Sequence, residues 1–323
     1  MADSSPSCQC IRPDASSLSE KGFSVNRRQA VFLTIGVTAV SFSAIFIRLA
    51  HAPSLTIAFY RNAFAAAVLL PLALVKYPDE LRSLSRRQLA IAVLSGAMLA
   101  LHFGLWISSL SYTSIAASVV IVSASSILVA AGERVLFVEQ IASATWAGIV
   151  VGLAGVAIVS GGDFGVVSAR AAGGDLLALG GAAAAGAYFL LGRRLRRDLS
   201  LLAYTGIVYT ACAVLLLLAA VASGARLSGF PARTWWLFVL MAAVPQGLGH
   251  TVFNYLLKDV SATVVAIALM GEPIGSTLLA IAFFGEIPPW PVVAGGVLIL
   301  AGIYVAVTAQ GRARHREIVT PLE

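Results

Sequence analysis

The chain has 323 residues, 59% of them hydrophobic and only 11% charged, with a mean hydropathy of +0.90 and a net charge of +7. Soluble domains carry about 25% charged residues; a chain with under half that share cannot cover a water-facing surface, so most of it faces lipid. The basic balance does not call for a nucleic-acid partner, because Lys and Arg sit between apolar runs and mainly on one side of them.

Residues 1–29 are rich in Ser, Asp and Pro and read as a disordered cytoplasmic tail. Cys8 and Cys10 in that tail are too few for a zinc site; with Cys212 in an apolar run, no cysteine is assigned a structural role. The first apolar run begins at Ala30 and no small-residue cleavage site follows it, so it reads as a membrane span and not a signal peptide. A membrane helix needs about 20 apolar residues. Ten runs qualify: 30–49, 54–75, 88–109, 113–136, 142–160, 173–192, 200–222, 234–257, 262–284 and 290–309. Stop signals such as Tyr77-Pro78-Asp79, Gly161-Gly162-Asp163 and Ile287-Pro288-Pro289 close several of them. Ten spans put both termini on one side. Of 22 Lys and Arg residues, only Arg48, Arg170, Arg226 and Arg233 fall on the other side, and Arg61 falls within a span. Positive residues stay inside, so both termini are cytoplasmic. The run Arg193-Arg194-Leu195-Arg196-Arg197 is then an inner-face topology signal against anionic lipid.

The chain repeats itself. His102 recurs as His250 at an offset of 148; Glu139 and Glu286, Gly148 and Gly295, and Gly155 and Gly302 pair at an offset of 147. This defines two five-span repeats, 30–160 and 173–309, followed by a cytoplasmic tail, 310–323. An odd number of spans turns the second copy upside down. Inverted repeats are the usual build of secondary transporters, whose sites lie near the midplane where the repeats meet.

Polar groups within the spans mark such a site. The first span aligns Thr34, Thr38, Ser41 and Arg48, with Arg48 at the outer end, where it snorkels to the headgroups. Arg61 lies about a third of the way into the second span and needs a carboxylate, carbonyls or water; a structural ion pair and a substrate contact both meet that need. The third span carries His102, Trp106 and Ser109 at i, i+4 and i+7. His102, as the partner of His250, lines a central cavity, and Trp106 packs either over a bound ring or against its neighbours. In the fourth span Ser114, Ser118 and Ser125 serve helix packing, and Glu133-Arg134 sits near the cytoplasmic end, within reach of water. Glu139 and Glu286 close the fourth and ninth spans in loop or gate roles. Gly148-x-x-x-Gly152 and Gly295-Gly296 with Gly302 are small-residue contacts that hold the two halves together. Between Val244 and Glu286, the residues Gln246, His250 and Asn254 recur every four residues and so share one helix face. Glu272 sits near the middle of the ninth span. A carboxylate there costs roughly 2.5–3.5 kcal/mol unless it meets a partner or a wet cavity, and Pro273 beside it bends the helix.

These features resemble the EamA-type members of the drug/metabolite transporter superfamily. The resemblance rests on two five-span repeats with Glu139 and Glu286 ending the fourth and ninth spans. It rests also on Val244-Pro245-Gln246 through Gly249-His250-Thr251, Asn254, Val260-Ser261-Ala262-Thr263, Gly271-Glu272-Pro273, Tyr60-Arg61 and Thr113-Ser114. It covers about residues 30–309. It implies an all-α membrane protein of ten transmembrane helices in two inverted five-helix repeats, acting as an alternating-access carrier in the cytoplasmic membrane and not as an enzyme. Relatives export amino acids and other small metabolites; some import vitamins or nucleosides. The family commonly has a proline where Ser125 and Ser126 stand, so the fourth span is expected to be less broken than the ninth. Glu133 is also unusual for the family. On this reading the chain exports a small polar metabolite, an amino acid foremost. His102, Trp106, Gln246, His250, Asn254 and Arg61 bind substrate, and Glu272 with Pro273 forms a coupling point or hinge. Glu272 is either a protonatable coupling group or a buried structural carboxylate. The sequence has no G-x-x-x-x-G-K-[ST], H-E-x-x-H or G-x-S-x-G, so no catalytic residue, cofactor or metal is expected. The protein is expected to work as a monomer or homodimer, with proton coupling open.

Overall fold

The computed structural model describes residues 27–137, 143–162, 169–285 and 287–319. Glu139, Glu286 and most of the N-terminal tail lie outside the described residues. All regular structure among the described residues is helical. We number the helices α1 (Arg27–Ser41), α2 (Ser43–Ala50), α3 (Ser54–Lys76), α4 (Pro78–Arg82), α5 (Arg86–Ser109), α6 (Ile115–Ser123), α7 (Ser125–Phe137), α8 (Ser143–Gly162), α9 (Ala169–Arg196), α10 (Leu201–Ala222), α11 (Ala232–Met241), a π-helix (Ala242–His250), α12 (Thr251–Leu256), α13 (Ala262–Ala268), α14 (Gly271–Phe284) and α15 (Trp290–Val319). Singly or joined end to end, they give eight stretches long and apolar enough to cross a membrane, with Trp290–Gly302 as a shorter apolar segment. The two other expected spans correspond to α8 and α15, and α15 runs on to Val319, past the expected boundary at 309.

Local sequence sets the helix ends. Ser85 and Gln88 form a reciprocal capping box at the start of α5, which satisfies two of the amides a helix leaves unpaired at its first turn. Ser114 and Ser200 cap α6 and α10 in the same way, each accepting from the amide three residues on. Gly285 ends α14 with φ at 65°, a left-handed conformation that glycine adopts without a Cβ clash.

The packing is reciprocal between the two halves. Helix α3 packs on α10, and α8 on α15; each pair joins equivalent helices of the two repeats. The packing of α5 on α9 has its counterpart in α1 against the π-helix, and that of α6 and α7 on α9 in α13 and α14 against α1. The closest crossing is between α8 and α15. A Cβ on Gly155 would lie 2.6 Å from the Gly295 carbonyl oxygen, and one on Gly302 would overlap the backbone of Gly148 and Gly152. These two contacts exchange when the halves exchange, so the glycine pairs read from the sequence are the residues at which the halves touch. Gly155→Ala is expected to lower the thermal midpoint of the detergent-solubilised protein, because overpacking costs about 1–3 kcal/mol. Gly173→Ala, in α9 with nothing within 4 Å of its added methyl, should instead leave the midpoint unchanged or raise it, since alanine gains up to about 1 kcal/mol over glycine in a helix. Equal midpoints would remove the crossing from the account of stability.

Candidate functional site

Four membrane helices are interrupted, and the interruptions meet at one cavity. The first stretch breaks at Phe42, between α1 and α2. Beside it the Ser41 hydroxyl donates back to the Val37 carbonyl at 2.9 Å. The fourth breaks at Ala124, between α6 and α7, where Ser123 donates to the Val119 carbonyl at 3.0 Å and Ser126 to the Ser123 carbonyl at 2.6 Å. Hydroxyls that compete for backbone carbonyls bend helices, so the fourth stretch breaks without a proline. Its interruption is one residue long, against two in the ninth, where Leu269-Met270 separates α13 from α14. Pro273 falls in the first turn of α14, where its missing N–H removes no helical bond. The eighth stretch opens into the π-helix. Pro245 within it has no amide to give to the carbonyl four residues back, and the ladder resumes with a Thr251 amide donating five residues back to Gln246. The sequence reading of an unbroken α-helical face for Gln246, His250 and Asn254 is corrected here: the first two stand in the π-helix and Asn254 in α12.

The cavity is lined by residues at all four breaks, among them Val40 and Ser43, Ser123 and Ser125, His250, and Glu272. Its volume is about 30 Å³. That admits one or two waters and is far below the roughly 300 Å³ at which ligand clefts begin. Arg61, His102, Trp106 and Phe189 also line the cavity. Arg61 is 1% exposed. Its Nε donates to Gln246 Oε1 at 2.8 Å and its Nη1 to Ser43 Oγ at 2.6 Å, and its guanidinium lies 4.1 Å from the centre of the Phe103 ring. These partners are neutral. The cation is held by an amide, a hydroxyl and a π-face, and Glu272 lines the same cavity.

The two histidines meet in the centre, ring centroids 6.4 Å apart. His102 Nδ1 bonds the Gly181 carbonyl at 2.9 Å, and its ring stacks on Trp106 at 3° between planes. His250 stacks on Phe189 at 6° and meets Phe103 edge-on. Among the described residues Trp106 Nε1, His250 Nδ1 and Gln246 Nε2 are buried without a hydrogen-bond partner. Buried polar groups are normally satisfied, so the two of these that belong to residues lining the cavity, Trp106 and His250, are capacity for a solute or water.

The structure therefore sorts the residues singled out from sequence. Arg61, His102, Trp106, His250 and Glu272 line the cavity; Gln246 stands behind Arg61 and orients it. Asn254 does not line it. Its Nδ2 donates to Tyr188 Oη at 2.5 Å and to Tyr209 Oη at 3.2 Å, so its contacts tie α12 to α9 and α10. Pro273 is buried in α14, away from the wall. Sequence reasoning passed over Ser43, Phe103 and Phe189. A hydroxyl two residues beyond Ser41 was a usable signal for Ser43, whereas one phenylalanine among fifteen carries none.

Both ends of the bundle are tied between the halves, and three readings change here. Arg48 does not serve the headgroups alone: its guanidinium donates to the Thr113 carbonyl at 3.1 Å, a bond within the first half. Beside it Thr56, Tyr60 and Thr234 donate to the carbonyls of Arg226, Leu227 and Ala50. At the other end Glu133 is 4% exposed and not at the water. It pairs with Arg193, accepts from the Ala262 amide at 3.0 Å, and accepts from Thr263 Oγ1. The arginine run is also not only a lipid contact. Arg193 is buried in that pair, and Arg196 is buried while donating to the carbonyls of Asn254 and Leu199. Asn254→Ala should lower the thermal midpoint by an amount equivalent to about 1–3 kcal/mol, the cost of removing a buried amide that serves two buried tyrosine hydroxyls. An unchanged midpoint would mean that Asn254 does not hold the frame together.

Comparison with solved structures finds 29 matching chains. One crystal structure aligns with a TM-score of 0.66 at 21% identity, over 89% of this chain and 99% of that chain, a likeness of fold. A comparison with curated proteins finds no match. The family model for EamA-like transporters matches twice, over residues 28–161 and 172–308. A double match across most of a helical, lipid-facing chain leaves one assignment: the protein belongs to the EamA-like transporter family.

Proposed function

We propose that this protein carries a small zwitterionic metabolite, an amino acid foremost, out across the cytoplasmic membrane by alternating access without ATP. In this reading ten helices span the membrane as two inverted five-helix repeats with both termini in the cytoplasm. The observation that carries it is the convergence of four interrupted helices, two from each half, on one cavity that holds both a guanidinium and a carboxylate. Broken helices at a midplane site are how carriers present polar groups to solutes. Arg61 would take the carboxylate of the solute and Glu272 its ammonium, while Trp106 and His250 supply the remaining hydrogen bonds and Gln246 holds Arg61 in place.

The cavity is too small for such a solute and both ends are tied, which supports reading this conformation as occluded. Opening inward would part Glu133 from Arg193 and from the start of α13. Opening outward would release the bonds of Thr56, Tyr60 and Thr234, which join the two halves. Glu272 remains either the proton-coupling group or a fixed counter-charge.

Counterflow of labelled amino acids in proteoliposomes tests the assignment. Arg61→Gln and Glu272→Gln should each slow exchange by at least about tenfold, since a hydrogen bond to a charged group is worth about 1.5–3 kcal/mol. Exchange at the wild-type rate in both variants would take the ion-binding roles away, and protein that chemically converts a solute without moving it would sink the carrier altogether. If Glu272 couples protons, the pH response of uptake disappears with the carboxylate. A second test addresses the tie at the cytoplasmic end. Glu133→Gln removes the buried counter-charge that Arg193 faces, a cost of about 3–5 kcal/mol that opening relieves. With Cys8, Cys10 and Cys212 replaced, a cysteine at Ser125 should then label faster from the cytoplasmic side; slower or equal labelling would mean the pair does not hold that end shut.

A further inference from the structure

A second cavity, of about 380 Å³, opens on the outside of the bundle between α5, α7 and α9. It lies at the end of the bundle that carries the Glu133–Arg193 pair. Its floor is apolar, formed by Ile91 and Leu94 of α5, Leu136 of α7 and Leu191 of α9. Leu94 is 48% exposed and Leu136 56%, so protein leaves this floor open. Arg87 and Arg194 stand at its mouth. Both are exposed, and neither makes a hydrogen bond or ion pair among the described residues. Their neighbours differ: Arg193 and Arg196 are buried and engaged. Arg87 also sits in the first turn of the 24-residue α5, the end at which a helix dipole is positive.

The floor and the mouth ask for different things of an occupant. A free anion would satisfy the arginines and leave the floor bare. A lipid with a neutral headgroup would cover the floor and set a choline against two cations. We propose that this groove binds one anionic phospholipid, its headgroup phosphate on Arg87 and Arg194 and an acyl chain along Ile91, Leu94, Leu136 and Leu191. Basic pockets between membrane helices on the cytoplasmic side are suited to anionic headgroups, and acyl chains bind by apolar burial. The lipid would bridge α5 and α7 of the first half to α9 of the second. Arg194 adjoins Arg193, and Leu136 lies one turn beyond Glu133, so the bound lipid favours the state in which that pair is made. By linkage, a ligand of one state stabilises that state.

The purified, delipidated full-length protein is mixed with phosphatidylglycerol, with phosphatidylcholine of the same chains, or with inorganic phosphate. Thermal midpoint and native mass spectrometry are read together. The expected result is a raised midpoint and one retained molecule with phosphatidylglycerol, at least tenfold weaker retention of phosphatidylcholine, and no shift with phosphate. Combined Arg87→Gln and Arg194→Gln substitution should abolish the preference, whereas Arg197→Gln, outside the groove, keeps it. Ala90→Trp fills the groove with both arginines intact and should also abolish retention. Equal retention of phosphatidylcholine, an equal shift with phosphate, or a preference surviving in both the double variant and Ala90→Trp overturns the proposal. No transport is measured, so a protein that carries none of the tested solutes leaves the result standing.

Discussion

A backbone N–H or C=O without a partner costs several kcal/mol in hydrocarbon, where water cannot serve it. This bundle interrupts four helices at that depth, and each interruption frees such groups. They can be satisfied only by other parts of the protein, so the breaks have to be buried, and burying them together is the economical arrangement. Ser276 donates to the Ser41 carbonyl at 3.1 Å across the first break, and Thr251 Oγ1 donates to the Gln246 carbonyl beside the π-helix at 3.0 Å. Serines on the broken helices do the same within their own turns. The result is a small polar chamber in an apolar bundle, which is what a solute-handling site in a membrane requires.

Arg61 is the group that the chamber is built to hold. It reaches from α3 to Ser43 at the first break and to Gln246 in the π-helix, and it lies on Phe103 of α5. It thereby touches both repeats and three separate stretches of chain. Because all three partners are neutral, any anion that enters gains a charge that no internal carboxylate within bonding distance has already claimed. The histidines beside it mark the meeting of the halves: His102 and His250, equivalent in the repeat, are adjacent in space. The glycine crossing of α8 and α15 shows the same exchange at the periphery.

Much of this was legible in the chain. Apolar runs and their stop signals placed the helices within a few residues, except that α15 runs on to Val319 instead of ending at 309, and the offset of 147 to 148 located both the histidine pair and the glycine crossing. The cavity wall was largely legible too, since Arg61, His102, Trp106, His250 and Glu272 are polar or aromatic groups in runs where such groups are costly. The errors share one cause. Glu133, Arg193 and Arg196 were read by their nearness to a helix end. Each spends polar atoms on a partner that is remote in sequence.

The sequence by itself determined that the chain is helical, lipid-facing and duplicated, because length, hydropathy and period are properties of consecutive residues and need no partner. Only the tertiary structure decided which polar residue serves the cavity and which serves the frame. A π-helix at Pro245, a break at Ala124 without proline, and a glutamate buried against an arginine sixty residues away all depend on what lies across the bundle. In hydrocarbon every polar atom must find a partner, and the identity of that partner is set by packing.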